Sequence, residues 1–368
     1  MRLSVKKIER RSAWAAPASM AMSVLAALLV GGVLLAFVGV NPLAAYEAMF
    51  RGAFGDQLAV TETLVKATPL MLTGLGVALA LRAGFWNIGA EGQLVMGGLA
   101  ATGMALFWGN GLPGALVLPA MILAGFLGGA LWGLIPALLK VFTNVSEIVS
   151  TLMLNYIAVL WIEYLYFDAW RDPRGFGFPG TAPLPDAARL PRLMGRLHIG
   201  ILLALAACVV LWFLLARTRW GYEIRVVGAS VQTARYAGMD LRRNLFLVMA
   251  LSGGLAGLAG MGEVAGISYR LQNGLAVGYG YTALIIAFLA RLNVWGVVAA
   301  AVFMAGLTVG SDQLQIALSL PASFAWILQG TVLLFILAGG VLTHYRVRLH
   351  LAAEAVHAER QTGQQTWT

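Results

Sequence analysis

The stretch Leu81-Arg-Ala-Gly-Phe-Trp-Asn-Ile-Gly-Ala-Glu-Gly-Gln-Leu-Val-Met-Gly-Gly-Leu99 sets a polar, glycine-rich break inside otherwise apolar sequence. Asn87, Glu91 and Gln93 stand where a membrane helix ordinarily carries only hydrocarbon. A carboxylate at bilayer depth costs about 2.5–3.5 kcal/mol on insertion scales, so it lines a protein interior or a wet cavity. Glycines at 84, 89 and 92 let the backbone break, which is tolerated at that depth only inside packed protein or beside an aqueous path. The expectation is a route for something polar through a membrane.

Working outward, 60% of the 368 residues are hydrophobic and only 11% are charged, against roughly 25% charged in soluble domains. Residues 92–139 contain no Asp, Glu, Lys, Arg or His. The turn Gly109-Asn-Gly-Leu-Pro-Gly114 is the one interruption, so this run reads as two spans folded as a hairpin, each of about 20 residues. A soluble core helix would keep a water-facing stripe over such a length, and none exists here. The single cysteine, Cys208, excludes a disulfide framework or a cysteine-based metal site. The histidines at 198, 344, 350 and 357 form no metal spacing or relay. The net charge of +9 does not mark a nucleic-acid face, because the cations punctuate apolar runs.

Arg2, Lys6, Lys7, Arg10 and Arg11 precede an apolar stretch at about 19–38. That stretch is longer than the core of a signal peptide, about 7–15 residues, and reads as a first, uncleaved span. Further spans are expected near 61–81, 90–108, 114–139, 146–166, 198–216, 244–262, 278–290, 294–311 and 323–342. The organisation expected is therefore a basic cytoplasmic amino terminus at 1–18, one transmembrane domain at 19–342 with a cytoplasmic loop at 217–243, and a cytoplasmic tail at 343–368. With ten spans and the amino terminus inside, cytoplasmic segments hold 17 of the 25 Lys and Arg and outer segments hold seven, with Lys66 left in a span. The outer loop 168–197 runs against this bias with five arginines. A second glycine-rich break, Gly262-Glu263 through Gly280, follows the first at a distance of five spans. An odd number of intervening spans gives the two halves opposite orientation, the pattern of an inverted repeat with a midplane pathway.

The loop 217–243 holds six arginines and an apolar stripe at Ile224, Val227, Val231, Ala234 and Ala237. These spacings fit one short helix, or two joined at Gly228. Such a segment either lies on anionic lipid or docks a soluble cytoplasmic partner, with small residues seating it in a groove. None of the four lysines (6, 7, 66 and 140) has the context of a phosphate-binding P-loop, so any ATPase of that type is a separate polypeptide.

The run Ala83-Gly-Phe-Trp-Asn-Ile-Gly-Ala-Glu-Gly-Gln93 resembles the signature of ABC-importer permeases, in the branch serving nucleosides and simple sugars. That branch is related to the ribose and branched-chain amino-acid permeases. Asn144-Val-Ser-Glu-Ile-Val-Ser-Thr-Leu-Met-Leu-Asn-Tyr-Ile157 is similar to a second block, and Arg219-Trp-Gly-Tyr-Glu-Ile-Arg225 through Ala234-Arg-Tyr-Ala-Gly238 to its cytoplasmic coupling loop. The chain departs from the pattern at Ala229-Ser230 and at Asn293-Val-Trp-Gly296. The resemblance implies an all-α polytopic membrane protein of about ten transmembrane helices with an inverted internal repeat, like a type II importer permease. It implies a non-catalytic subunit without a cofactor of its own, ATP and Mg being bound by ATPase partners. It also implies a second permease of the same family, identical or not, an extracytoplasmic substrate-binding protein, surrounding lipid and a place in the bacterial inner membrane with both termini cytoplasmic. ATP-driven closure of the ATPases would push on Arg219, Gly221, Arg225, Gly228, Ala229, Arg235 and Gly238.

Pathway candidates are Asn87, Glu91, Gln93, Asn155, Tyr156, Glu263 and Tyr269. Glu91 reads as a carboxylate hydrogen-bonded to broken-helix amides or as a substrate contact, the first being favoured. Asn87 and Gln93 offer amides that donate and accept, suited to hydroxyls or base edges, or else they cap the helix that follows. Asn155 and Tyr156 face the pathway or hydrogen-bond a neighbouring helix. Ser146 and Glu147 suit the first turn of a helix. The rival from another class is an ion-coupled secondary transporter using Glu91 and Glu263.

Overall fold

The computed structural model describes the backbone of residues 2–7, 15–318, 320–321, 323–342 and 345–350, so the expected amino-terminal and tail segments lie partly outside the described residues. The helices are α1 (Ala15–Phe37), α2 (Pro42–Phe54), α3 (Gln57–Arg82), α4 (Ala90–Gly103), α5 (Gly114–Thr143), α6 (Glu147–Tyr164) and α7 (Gly200–Arg217). There follow α8 (Arg219–Ala229), α9 (Val231–Tyr236), α10 (Leu241–Glu263), α11 (Tyr279–Leu289), α12 (Val294–Leu318) and α13 (Ser323–Leu342). Four short strands are β1 (Arg2–Lys7), β2 (Arg192–Met194), β3 (Leu197–His198) and β4 (Tyr345–His350).

The chain divides into two compact units, residues 1–47 with 318–368, and residues 48–317. In the first unit α1 packs on α13, and β1 pairs antiparallel with β4, Arg2 opposite His350. The Tyr46 hydroxyl donates to the Leu28 carbonyl across the bend that separates α1 from α2. In the second unit α3 is the most enclosed helix, with Leu70, Leu72, Leu75 and Leu79 almost inaccessible. Asp56 starts it by accepting a hydrogen bond from the Ala59 N–H at 2.7 Å. It packs on α7, α10 and α11, and α10 in turn crosses α4 and α5 closely. Side chains at Gly97, Gly129 and Gly257 would run into the facing backbone, so these crossings depend on small residues.

All ten expected spans are helical, but not every one of these helices is long enough to cross a membrane alone. Among the described residues, six helices are long and apolar enough to cross a membrane alone, or seven if α1 and α2, bent by 117°, count as one. Two of the shorter expected spans adjoin the glycine-rich breaks. α4 has 14 residues and continues only as a wide π-turn, Met104–Trp108, and α11 has 11 residues. At 1.5 Å per residue α11 reaches about 17 Å, well short of the roughly 30 Å hydrocarbon layer, while α4 reaches about 21 Å before its π-turn extends it.

Candidate functional site

The first break closes on itself. After α3 the chain turns through residues 83–89, and the Gly89 N–H donates to Asn87 Oδ1 at 3.1 Å. Gln93 Nε2 donates to the same oxygen at 3.0 Å, while Asn87 Nδ2 donates to Gln93 Oε1 and to Ser252 Oγ, both at 2.9 Å. Ser252 in turn donates to the Gly76 carbonyl at 2.7 Å, tying α3, α4 and α10 together. Asn87 is 0% and Gln93 1% exposed, and every polar atom of the Asn87 amide is engaged.

Glu91 joins the two breaks. Its carboxylate accepts from the Gly278 N–H at 2.7 Å and the Gly280 N–H at 2.6 Å, 187 and 189 residues away. Those are free amides at the start of α11, where an anion is favoured by unpaired N–H groups and the helix dipole. Gly278 has a φ of +92°. Asn155, on α6, accepts from the Gly92 N–H at 2.8 Å and donates to the Ile88 carbonyl at 2.9 Å and the Tyr281 hydroxyl at 3.3 Å. Its neighbour Tyr156 points away from this network and is 57% exposed.

The second break behaves differently. Glu263 ends α10 and is half-buried. It lies within electrostatic reach of Lys66 and Arg196 and hydrogen-bonds the Tyr279 hydroxyl. Lys66 Nζ donates to that same hydroxyl at 3.3 Å. Asp312, on α12, is exposed and feels the charge of Lys66. Arg196 also pairs with Glu62 at 3.1 Å. Counted along α3, Lys66 sits about 14 Å from one end of the helix and 24 Å from the other, so this cluster lies at membrane depth. Tyr269 does not join it. A π-turn at Val264–Ser268 carries Tyr269 away to a loop, where Arg189 and Arg192 lie 5.2 and 5.6 Å from its ring.

Lys66 stood out in the sequence only as a cation stranded in a span; Tyr279 and Asp312 were not singled out. A charged residue within an apolar helix was the available signal for both Lys66 and Asp312.

The loop 217–243 folds as two helices, but their junction is Ser230 rather than Gly228. Ser230 Oγ accepts from the Thr233 N–H at 3.2 Å, starting α9, so Ser230 stands where a capping residue belongs. Gly228 lies inside α8 because a Cβ there would collide with the Arg82 carbonyl oxygen at the end of α3. Gly221 is buried against the Leu214 carbonyl, and Arg225 Nη1 donates to the Leu215 carbonyl at 2.7 Å. Ile224 and Ala234 are buried, whereas Arg219, Ala229, Arg235 and Gly238 are exposed together with Tyr222, Val231 and Tyr236. Asn293 accepts from the Trp295 and Gly296 N–H groups at 2.9 and 3.1 Å, so this turn caps α12 despite its departure from the family pattern.

Residues 59–337 match the family described as branched-chain amino acid transport system / permease component. The chain is 40% identical over 347 residues to the glucose ABC transporter permease protein TsgB13 of Haloferax volcanii, covering 91% of this chain and 90% of that one. It is 33% identical to the guanosine ABC transporter permease protein NupP of Bacillus subtilis, over 86% of this chain and 91% of the relative. The nucleoside ABC transporter permease protein NupB of Lactococcus lactis is 28% identical over 77% and 80%. All three are named ABC permeases, and nothing in them supports an ion-coupled carrier. Broken apolar helices joined at Glu91 and a helical loop seated under α3 are thus the architecture of an ABC transporter permease subunit, and the chain belongs to the branched-chain amino acid transport system / permease component family.

Proposed function

We propose that the chain forms the membrane pathway of an importer for a nucleoside or a simple sugar, paired with a second permease and fed by an extracytoplasmic binding protein. It works in a bacterial cytoplasmic membrane with both termini inside, and ATP and Mg are bound by the ATPase partners rather than by this chain. The glucose and guanosine named for the two relatives above 30% identity support the substrate class. The observation that carries the coupling is the seat of α8: Gly228 lies against the carbonyl of Arg82, the last residue of α3, five residues before Asn87. The exposed Tyr222, Val231 and Tyr236, flanked by Arg219 and Arg235, form the face on which an ATPase docks. A push on α8 then reaches the first break through α3, and Glu91 passes it to α11.

The test is Gly228→Leu in cells taking up tritiated guanosine or glucose. Uptake is expected to fall by more than about tenfold, a loss of some 1.4 kcal/mol in effective coupling, while the protein stays in the membrane. Normal uptake would overturn the role of this contact. Uptake that disappears when the proton gradient is collapsed at constant ATP would overturn the ATP-driven reading itself.

A further inference from the structure

Among the described polar groups at membrane depth, those of the first break are buried and paired within the protein, whereas in the cluster of Lys66, Glu263, Tyr279 and Asp312 the two carboxylates are half-buried and exposed. We infer that this cluster is where the pathway holds its solute, and that it recognises the vicinal diol of an uncharged molecule. The inference rests on the import function proposed above and names the residues and the chemistry of that site.

The chemistry follows from what the cluster offers. Glu263 and Asp312 are carboxylates on different helices, each able to accept two hydrogen bonds from adjacent hydroxyls. Charge-assisted bonds of that kind are short and about twice as strong as neutral ones. Lys66 and Tyr279 supply donors between them, and the Tyr279 hydroxyl already accepts from Lys66 and donates to Glu263. With Arg196 and Glu62 included, the neighbourhood holds two cations against three carboxylates. An anionic solute such as a phosphorylated sugar or a nucleotide meets a net negative surface there and is refused. Asp312 needs such a role, because an exposed carboxylate six residues from the end of an apolar helix otherwise has only lipid or a neighbouring chain to face.

The experiment compares uptake in cells carrying the wild-type chain, Asp312→Asn or Glu263→Gln. Each strain is given tritiated guanosine against 2′,3′-dideoxyguanosine, and glucose against 3-deoxyglucose. The binding protein and ATPases are the same throughout, so a change in the ratio of hydroxylated to deoxy solute belongs to the permease. The ratio is expected to collapse by about tenfold or more in each variant, the worth of one hydrogen bond to a charged group. An unchanged ratio in Asp312→Asn, whose side chain is exposed and isosteric, overturns the inference even if total uptake falls. Should the wild type accumulate neither guanosine nor glucose, the import reading fails and the inference with it; wild-type uptake with unchanged ratios sinks the inference alone.

Discussion

The two glycine-rich breaks carry the same kinds of residues and treat them in opposite ways. Around Asn87, Glu91, Gln93 and Asn155 each side-chain amide or carboxylate meets a backbone group or another side chain inside the protein. Around Lys66, Glu263, Tyr279 and Asp312 the Tyr279 hydroxyl is buried, but the other three residues remain half-buried or exposed. A closed polar network rigidifies, since an unpaired buried group in low dielectric is so costly. An open one must be completed by something from outside. The first break is therefore held together within the protein, and the cluster beside the second is the one proposed above to take solute.

Substitutions separate the two. The largest expected effect is Glu91→Ala, which strands the Gly278 and Gly280 N–H groups at the head of α11. Losing a buried charged acceptor of two amides costs on the order of 3 kcal/mol or more, and membrane abundance and detergent melting temperature should both drop sharply. Stability at the wild-type level would show that Glu91 does not hold α11. Asn155→Ala comes next, leaving the Gly92 N–H and the Ile88 carbonyl unpaired at a cost of about 2 kcal/mol by the same measurement. Ser252→Ala removes the link between Asn87 and the Gly76 carbonyl and is expected to cost about 1 kcal/mol. The smallest effect on stability is Asp312→Asn, within roughly 0.5 kcal/mol, because its side chain is exposed. A melting loss for Asp312→Asn as large as that for Asn155→Ala would erase the distinction between the closed and open regions.

Much of this arrangement was legible in the residues. The run without charge at 92–139 and the glycines at 84, 89 and 92 marked both the membrane and the first break. The arginine-rich loop announced a helical element because Ile224 and Ala234 recur at helical spacing, and both are buried. Where that element divides was not legible. Gly228 and Ser230 both interrupt a helix on paper, and only the approach of the Arg82 carbonyl to Gly228 explains why glycine sits inside α8. The length of each span was not legible either: hydropathy registers apolar composition, not whether a stretch of 11 residues crosses alone or stops against another broken end. The chance that Asn87 and Gln93 bind solute was equally open in one dimension, since an amide that donates and accepts looks the same whether its partner is a sugar or a serine.

Composition, periodicity and charge alone determined a polytopic helical protein with two glycine-rich breaks and a basic helical loop, because hydrocarbon thickness and the lack of water in the bilayer leave a chain few other choices. Which weak point is sealed and which is open was decided only by tertiary structure. Glu91 and Gly280 are 189 residues apart, and so are made neighbours by packing alone. Lys66 acquires its meaning from the helices that pack around α3. Hydrogen-bond satisfaction is a property of three-dimensional neighbours, and a linear pattern does not contain it.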